Sequence, residues 1–319
     1  MNKILITGVA GFIGSHLAEI LLKKGYQVIG VDNFNGYYEP GFQQNNIAPF
    51  KDLPEFQLVR YDIQFANWQN LLKDVEIIYH QAAQTGVRTS WGKGFSIYSE
   101  RNINATQILL EAAKDAPKLK RFIFASTASV YGETEILPTN EEVCPQPVSP
   151  YGITKLAAER LCQLYFQNFG IPIVILRYFT VYGPRQRADM AFHKFFKAIL
   201  ENEAISIYGD GRQTRDFTFV SDITAANLAA AVTPNVVGEI FNIGSGSRVG
   251  LAEVLETITE IVGKPVKKNY IATANDDARH TAADISKARQ ILGYQPQISL
   301  KEGLIKEWEW IKSLYTPQN

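Results

Sequence analysis

Residues 7–14 read Thr7-Gly8-Val9-Ala10-Gly11-Phe12-Ile13-Gly14, and they carry the strongest indication of the fold. An apolar run, Lys3–Thr7, precedes it, and a helical pattern of apolar residues begins at Ile13. Glycines at this spacing between a strand and a helix are typical of a dinucleotide-binding turn. The first permits a tight turn, the second lets the backbone approach a pyrophosphate at the helix N-terminus, and the third lets helix pack on strand.

Further short apolar runs alternate with helical patterns over the first 180 residues. This alternation favours a parallel, doubly wound sheet, and therefore a Rossmann-type α/β fold. Ligands of such sheets bind at the carboxyl ends of the strands, so the residues after each strand are candidates for the site. Besides Lys3–Thr7, the predicted strands are Gln27–Val31, Phe56–Arg60, Val75–His80, Arg121–Ser126 and Pro172–Arg177.

The last 140 residues have a different pattern, with glycines and prolines between shorter elements. We expect helices at Leu251–Val262, Asp284–Leu292 and Leu300–Leu314. The division is placed near Tyr178, giving a dinucleotide-binding domain at residues 1–177. Residues 178–319 then form a smaller α/β domain that supplies the substrate site, and from which some segments return to the first domain.

A carboxylate ends the second strand, because Asp32 lies eighteen residues after Gly14. A carboxylate at this position accepts hydrogen bonds from both ribose hydroxyls of adenosine and repels a 2′-phosphate, which favours NAD over NADP. Residues after the third and fourth strands face the same cofactor in this topology. The predicted NAD contacts are Gly8, Gly11, Phe12, Ile13, Gly14, Asp32, Asn33, Asp62, Ile63, Ala82, Ala83, Gln84, Tyr151, Lys155 and Tyr178.

A candidate acid–base pair begins a later helix, where Tyr151 and Lys155 are four residues apart and share one face. A free tyrosine has a pKa of about 10. A neighbouring ammonium and the positive nicotinamide ring both favour the phenolate, which can then remove a proton. The run Ser126–Ser129 follows a strand and offers hydroxyls to the same substrate. A solvated helix face is the ordinary alternative for a lone Tyr–Lys pair, but the glycine turn and this strand end together favour catalysis.

The composition excludes several classes of protein. Apolar residues make up 46% and charged residues 20%, and 32 Lys and Arg balance 32 Asp and Glu. This charge balance favours neither nucleic acid nor a membrane surface as a partner. The histidines lack metal-ligand spacing, so we expect no metal site. Two cysteines without a CxxC pattern, and no signal-peptide or membrane-span pattern, predict a cytoplasmic protein.

Four segments carry a family resemblance: TGVAGFIG (7–14), STASVYG (126–132), SPYGITK (149–155) and RYFTVYGPRQR (177–187). They resemble the extended short-chain dehydrogenase/reductase family of nucleotide-sugar epimerases and dehydratases. The resemblance implies bound NAD, a UDP-sugar substrate, and a homodimer formed through helices near 100–114 and 151–167. It assigns the catalytic roles to Thr127, Tyr151 as the base, and Lys155. Tyr151 would take a proton from a sugar hydroxyl while hydride moves to NAD, and the hydride would return to the other face of the ketone.

The resemblance also extends to the substrate end of the site. The segment Gly209–Phe217 resembles the family's diphosphate segment, in which Arg215 would bind the diphosphate, with Arg279 from the run 277–280. Arginine suits this role because its planar fork is always charged. Tyr208 would stack on uracil. The remaining substrate candidates are Arg88, Thr127, Ser129, Thr180, Arg185 and Arg187.

The residues after Thr127 separate the branches of the family. Dehydratases of this family carry acidic residues there and uronate decarboxylases a glutamate, whereas this chain has Ala128 and Ser129, which favours epimerisation. The stretches 32–38 and 82–88, with Thr180 in place of the asparagine usual in UDP-glucose epimerases, resemble UDP-glucuronate 4-epimerases. Arg185-Gln186 and the run YGITK depart from the commonest form of that branch.

Three functions therefore remain open. The first is a UDP-glucuronate 4-epimerase, an isomerase that interconverts UDP-glucuronate and UDP-galacturonate with bound NAD and without decarboxylation. The second is a UDP-glucose or UDP-N-acetylglucosamine 4-epimerase with the same machinery. The third is a non-catalytic NAD-binding regulator. The presence of Thr127, Tyr151 and Lys155 together argues against the regulator, which would need no base.

Overall fold

The computed structural model of the chain describes residues 2–35, 41–272 and 278–315. The strands are β1 (Lys3–Thr7), β2 (Gln27–Val31), β3 (Phe56–Val59), β4 (Val75–His80), β5 (Arg121–Thr127), β6 (Ile173–Tyr178), β7 (Thr180–Tyr182), β8 (Ile205–Tyr208), β9 (Thr214–Phe219), β10 (Ile240–Ile243), β11 (Arg248–Gly250) and β12 (Lys268–Ile271). The helices are α1 (Phe12–Lys23), α2 (Phe42–Ile47), α3 (Trp68–Leu71), α4 (Phe95–Tyr98), α5 (Ala105–Lys114), α6 (Pro150–Phe169), α7 (Ala191–Leu200), α8 (Val220–Val232), α9 (Leu251–Val262), α10 (Ser286–Leu292) and α11 (Leu300–Tyr315).

Within the described residues, the main sheet has seven strands in the order β10-β6-β5-β4-β1-β2-β3. All of its pairings are parallel. The chain leaves β1 for β2 on one side and reaches β4 on the other, which makes β1 and β4 the switch point of a doubly wound sheet. The predicted Rossmann-type fold is confirmed, and its ligand crevice lies at the carboxyl ends of these strands.

Apolar side chains cover both faces of this sheet. Along β1, Ile4 and Ile6 belong to one buried cluster and Leu5 to another. Successive strand residues point to opposite faces, so an uninterrupted apolar strand feeds two cores at once. Helices close both faces, and along the described residues none of them combines the length and apolar character needed to cross a bilayer.

Several predicted elements differ from the observed ones at their ends. β5 extends to Thr127, and β6 begins at Ile173 because Pro172 has no N–H to donate to a sheet ladder. β3 ends at Val59, one residue early. α10 begins at Ser286 instead of Asp284, because the Asp284 carboxylate accepts the N–H of Ser286 at 2.9 Å and holds a turn before the helix.

The later part of the chain builds two smaller sheets. β7 pairs parallel with β9, and β11 pairs antiparallel with β9. β8 and β12 form a separate parallel pair. β10 instead joins the edge of the main sheet beside β6. The division near residue 178 stays a proposal, with β10 as a segment that returns to the first unit.

Candidate active site

A cavity of about 980 Å³ opens at the carboxyl ends of the main-sheet strands. It continues from the glycine turn of β1 to the smaller sheets, so that both predicted units contribute to its wall. Every residue predicted to contact NAD lines it: Gly8, Gly11, Phe12, Ile13, Gly14, Asp32, Asn33, Asp62, Ile63, Ala82, Ala83, Gln84, Tyr151, Lys155 and Tyr178. Of the stretch 32–38 that carries part of the resemblance, residues 36–38 lie outside the described residues.

The glycine turn has the shape that its sequence predicts. Gly8 has a φ of +69°, which a residue with a side chain rarely adopts. A Cβ on Gly14 would collide with the carbonyl oxygen of Gly8, so the first helix can approach the turn only with glycine there. α1 begins directly after Gly11 and has no acidic residue in its first turn. Its N–H groups and positive dipole end therefore suit an anion in the cavity.

Asp32 lies at the end of β2 and is held in place by three donors. Its carboxylate accepts the N–H of Ala10 and of Phe34, each at 3.0 Å, and the side-chain amide of Gln43 at 3.2 Å. Burial raises the pKa of the Asp32 carboxyl above its usual value, while the two backbone N–H groups act in the opposite direction. Gln43 was missed by sequence reasoning because no motif marks its position on α2.

A second polar pair borders the same end of the cavity. The Asn33 amide donates to the Asp62 carboxylate at 2.6 Å, and Asp62 also accepts the N–H of Gln64 at 3.0 Å. These contacts join the residues after β2 to those after β3. The glycine turn, the fixed Asp32 carboxylate and this polar border together fit an adenine dinucleotide, with Asp32 placed for the ribose hydroxyls and the α1 N-terminus for the pyrophosphate.

The sequence around Tyr151 starts a helix in a defined way. Ser149 caps α6 by accepting the N–H of Gly152 at 3.1 Å, and Pro150 occupies the first helical position. Tyr151 and Lys155 then lie one turn apart and both line the cavity. The ring of Tyr151 meets that of Tyr98 edge to face, with 6.2 Å between centroids, which restrains the phenol.

Lys155 is buried with its ammonium 4.3 Å from the centre of the Phe124 ring. Burial lowers the pKa of Lys155 to about 8, against a smaller opposing effect of Cys162 and Glu159. His80, on β4, is also buried, and burial together with Lys155 lowers its pKa to about 3. His80 is therefore neutral near pH 7 and contributes no charge beside the ammonium.

The end of β5 presents its hydroxyls in two directions. Thr127 and Ser129 line the cavity, and the Thr127 hydroxyl lies 3.2 Å from both the hydroxyl and the N–H of Ser129. Ser126 is buried and donates to Glu159 at 2.5 Å. Ser126 also lines the cavity, but its hydroxyl is bonded to Glu159, so Thr127 and Ser129 are the hydroxyls of this run that are placed for a substrate.

The opposite end of the cavity is cationic and aromatic. Arg88, Thr180, Arg187, Tyr208 and Arg215 all line it. The guanidinium of Arg88 lies 3.7 Å from the centre of the Tyr208 ring, so it already covers a face of the residue predicted to stack on uracil. Arg187 meets the Asp189 carboxylate through two bonds of 2.9 and 3.0 Å.

Two predicted substrate residues, Arg185 and Arg279, lie outside the cavity wall, and their roles in substrate binding stay predictions. Arg185 is absent from the cavity wall and forms an ion pair with Glu19 of α1 at 2.6 Å. Arg279 is half-exposed and pairs with Asp210 at 2.5 Å, outside the lining residues, although its neighbour Ala278 lines the cavity. In both cases the guanidinium forms an ion pair with an acidic residue that is distant in the sequence.

A further lining residue, Gln81, follows β4 directly. Its amide nitrogen lies 3.2 Å from the Tyr178 hydroxyl and 3.1 Å from the Asn227 side chain. The run His80–Ala83 was noted in the sequence, but only its small residues, Ala82 and Ala83, were interpreted as cofactor contacts. Among the described residues, no group of three or more His, Cys, Asp or Glu side chains is arranged to hold a metal ion.

Comparisons with known proteins agree with this geometry. Residues 4–244 match the model of the NAD dependent epimerase/dehydratase family. The crystal structure of a UDP-glucuronic acid 4-epimerase from Bacillus cereus, in complex with UDP-glucuronic acid and NAD, superposes with a TM-score of 0.95 at 48% identity, covering 98% of this chain and 100% of that one.

Two curated relatives match over the same extent. An uncharacterized UDP-glucose epimerase, YtcB of Bacillus subtilis, is 45% identical over 98% of this chain and 99% of its own. A UDP-glucuronate 4-epimerase of Thermodesulfobacterium geofontis is 38% identical over 98% of this chain and 97% of its own. With its glycine turn, Asp32 and the Tyr151–Lys155 pair on one cavity, this chain belongs to the NAD dependent epimerase/dehydratase family.

Proposed function

We propose that the protein is a UDP-glucuronate 4-epimerase that interconverts UDP-glucuronate and UDP-galacturonate without loss of carbon dioxide. The observation that carries the proposal is the convergence of five side chains on one cavity beside the dinucleotide crevice. They are a base with its cation, Tyr151 and Lys155, and three hydroxyls, Thr127, Ser129 and Thr180. The absence of an acidic residue at positions 128 and 129 favours epimerisation over elimination.

The chain's own groups perform the proton chemistry. Tyr151, as a phenolate favoured by the Lys155 ammonium, removes the proton from the hydroxyl at carbon 4 of the sugar and later returns it. The Thr127 hydroxyl is placed to bind the same oxygen and to fix its orientation. NAD, when bound, supplies the acceptor and then the donor of the hydride. Because no hydride is lost over a cycle, the reaction is an isomerisation with no net need for a second substrate.

A uronate substrate adds a difficulty that the site must solve. Oxidation at carbon 4 creates a β-keto acid, which loses carbon dioxide readily when the breaking bond lies perpendicular to the ketone plane. An epimerase must hold the carboxylate away from that alignment until the ketone is reduced. Ser129 and Thr180 offer hydroxyl donors on the cavity wall, and fixed donors of this kind set such a geometry.

The relatives' names support both UDP-glucuronate and UDP-glucose as substrates, so the rival function is a UDP-glucose 4-epimerase. Two features favour the uronate. Thr180 is shorter than asparagine and leaves room for a carboxylate, and Arg187, which is paired with Asp189, brings a guanidinium to the same cavity. If the protein were a UDP-glucose 4-epimerase, Ser129 and Thr180 would bind the neutral 6-hydroxyl of the sugar, and Arg187 would bind only the diphosphate.

The direct experiment incubates the purified holoprotein with UDP-glucuronate and no added NAD, and follows the anomeric protons by NMR. We expect the UDP-galacturonate signal to grow to a stable ratio, because tightly bound NAD is regenerated in each cycle. A strict requirement for stoichiometric NAD, with NADH accumulating, would instead identify a net dehydrogenase. A sample of Tyr151→Phe treated in the same way provides the matched control.

We further propose a cytoplasmic homodimer. Ile153 and Leu164 lie on one face of α6, eleven residues apart, and are 48% and 50% exposed. α5 packs beside α6, so the two helices offer one partly apolar surface to a second copy. Cys144 and Cys162 are both free cysteines, which fits a reducing compartment. Light scattering should give twice the mass of the chain, and Leu164→Glu should give the monomer.

A further inference from the structure

A buried polar network lies directly behind the catalytic residues. Glu159 and Arg177 are almost fully buried and form a two-armed ion pair, with 2.9 Å from Nε to Oε1 and 2.7 Å from Nη2 to Oε2. Ser126 donates to the same Oε1 at 2.5 Å. The Arg177 Nη1 continues to the Tyr131 hydroxyl at 2.9 Å. Both carboxylate oxygens of Glu159 are therefore occupied.

The network joins the two elements that carry the chemistry. Glu159 lies one helical turn after Lys155 on α6, so the two side chains share a face. Ser126 immediately precedes Thr127 at the end of β5. Arg177 precedes Tyr178 on β6, and the Ser126 and Arg177 positions pair in the sheet register. One carboxylate thus spans from the catalytic helix to two neighbouring strand ends.

A buried ion pair is weak evidence for stability, because removing two charges from water costs about as much as their attraction returns. Replacement of such a pair by apolar residues of similar volume is often neutral or stabilising. A carboxylate that fixes both a helix and a strand end, however, sets the distance between Lys155 and Thr127. A displacement of about 1 Å at such residues can cost about a hundredfold in rate.

We propose that Glu159 is a positioning residue for the reaction: held by Arg177 and Ser126, it keeps an anion one turn from Lys155 and fixes α6 to the strand end that carries Thr127. The inference rests on the proposed function, because it assigns Glu159 to the proton chemistry of that site. Glu159 does not touch the substrate and acts only through Lys155 and Thr127.

The charged groups around Lys155 make the proposed electrostatic effect of Glu159 on its ammonium testable. On α6 these are Tyr151, Cys162 and Glu159; on β4 His80; and on β6 Arg177. Burial raises the pKa of the Cys162 thiol far above neutral and lowers that of His80 to about 3, so neither is charged near pH 7. Glu159 is then the anion that opposes deprotonation of the Lys155 ammonium, and it raises the pKa of that group against the effect of burial.

The first test is Glu159→Gln, which keeps the shape and removes the charge. The substitution removes an anion one turn from Lys155 and leaves the Arg177 cation without its carboxylate partner, so the alkaline limb of the pH–rate profile should move to lower pH. The phenolate absorbance of Tyr151, measured as the difference from the matching Tyr151→Phe protein, should titrate at a pH different from that of wild type, because the charges beside the phenol change. If both the alkaline limb and the phenolate titration of the variant coincided with those of wild type, the proposal would be overturned.

The second test, Glu159→Asp, keeps the charge and shortens the reach, and it serves also if the glutamine variant does not fold. We expect kcat to fall about tenfold with KM for the UDP-sugar unchanged and the alkaline limb in place, since only the geometry changes. A lower melting temperature with wild-type kcat would show a merely structural role. Glu76→Gln, which breaks the exposed pair with Lys120, is the control and should change neither kcat nor the alkaline limb of the pH–rate profile.

The phenolate titration separates this inference from the proposed function, because it needs no substrate. If wild type fails to convert UDP-glucuronate, the proposed function fails. The Glu159 inference then stands or falls on the difference titration alone. If UDP-glucuronate is converted and the variants behave as wild type, the inference fails and the function stands.

Discussion

The Nη2 atom of Arg185 lies 2.6 Å from Oε2 of Glu19, whereas Arg187, two residues further on, lines the substrate cavity. The sequence motif does not show which of the two arginines meets the substrate, whereas the structure places them in different surroundings. Arg185 joins the loop after β7 to α1, the helix whose N-terminus faces the cofactor crevice. His16 of the same helix meets the carbonyl of Pro184 at 2.8 Å, so the loop is held at two adjacent points.

The first prediction follows from this difference. Arg187→Ala should raise KM for the UDP-sugar about tenfold or more, because a hydrogen bond to a charged group contributes about 1.5–3 kcal/mol. Arg185→Ala should leave KM near wild type and lower the melting temperature slightly, since a partly exposed ion pair contributes about 1 kcal/mol or less. Steady-state kinetics and thermal unfolding of both variants make the comparison. Equal effects on KM would contradict the structural assignment.

Tyr151→Phe should retain NAD and lose turnover by about 10²–10⁴-fold, the usual contribution of a general base. The substitution removes the hydroxyl and keeps the ring that packs against Tyr98. Cofactor released on denaturation, quantified by chromatography, checks that the site is intact. Activity within a few-fold of wild type would mean that another group removes the proton.

Turnover should fall as the pH rises through about 8. Burial lowers the pKa of Lys155 to about 8, so the ammonium that favours the Tyr151 phenolate is lost above that value. Below it the cation is present, and protonation of the base limits the rate from the acid side. A pH–rate profile under saturating UDP-sugar measures both limbs. A plateau that continues to pH 10 would show that the charge on Lys155 is not required.

Thr180→Val tests how the carboxylate is restrained. Valine keeps the branched shape and removes the hydroxyl that Thr180 presents to the cavity. If this donor helps to hold the uronate, the variant should release carbon dioxide and form UDP-pentose, while wild type forms essentially none. NMR of the product mixture separates the two outcomes. Simple loss of rate, with UDP-galacturonate as the product, would assign the restraint to Ser129 or Thr127.

Much of the fold could be predicted because its signals are local. β1, β2, β4 and α9 have the predicted bounds, since apolar runs and the glycine turn are read within a few residues. The NAD-facing positions follow from them, because the carboxyl ends of parallel strands meet at one edge. The catalytic pair is equally local, since its two members share one helical turn.

Apart from the ends of a few elements, the features that the sequence does not reveal are long-range contacts. Nothing near Arg185 or Arg279 indicates that Glu19 and Asp210 will capture them, because each pairing depends on how distant segments pack. The same reason hides Gln43 and the Glu159–Arg177 pair, whose partners lie on other elements. Some later segments were expected to return to the first domain, but the short sequence of β10, Ile-Phe-Asn-Ile, does not by itself show that β10 is one of them.

The preference for UDP-glucuronate over UDP-glucose can be measured in one side-by-side assay. The purified holoprotein is given UDP-glucuronate and UDP-glucose in separate samples at equal concentration, and the anomeric protons are followed by NMR. We predict faster conversion of UDP-glucuronate, with UDP-galacturonate as its product. Faster conversion of UDP-glucose, or UDP-pentose as the main product from the uronate, would contradict the claim.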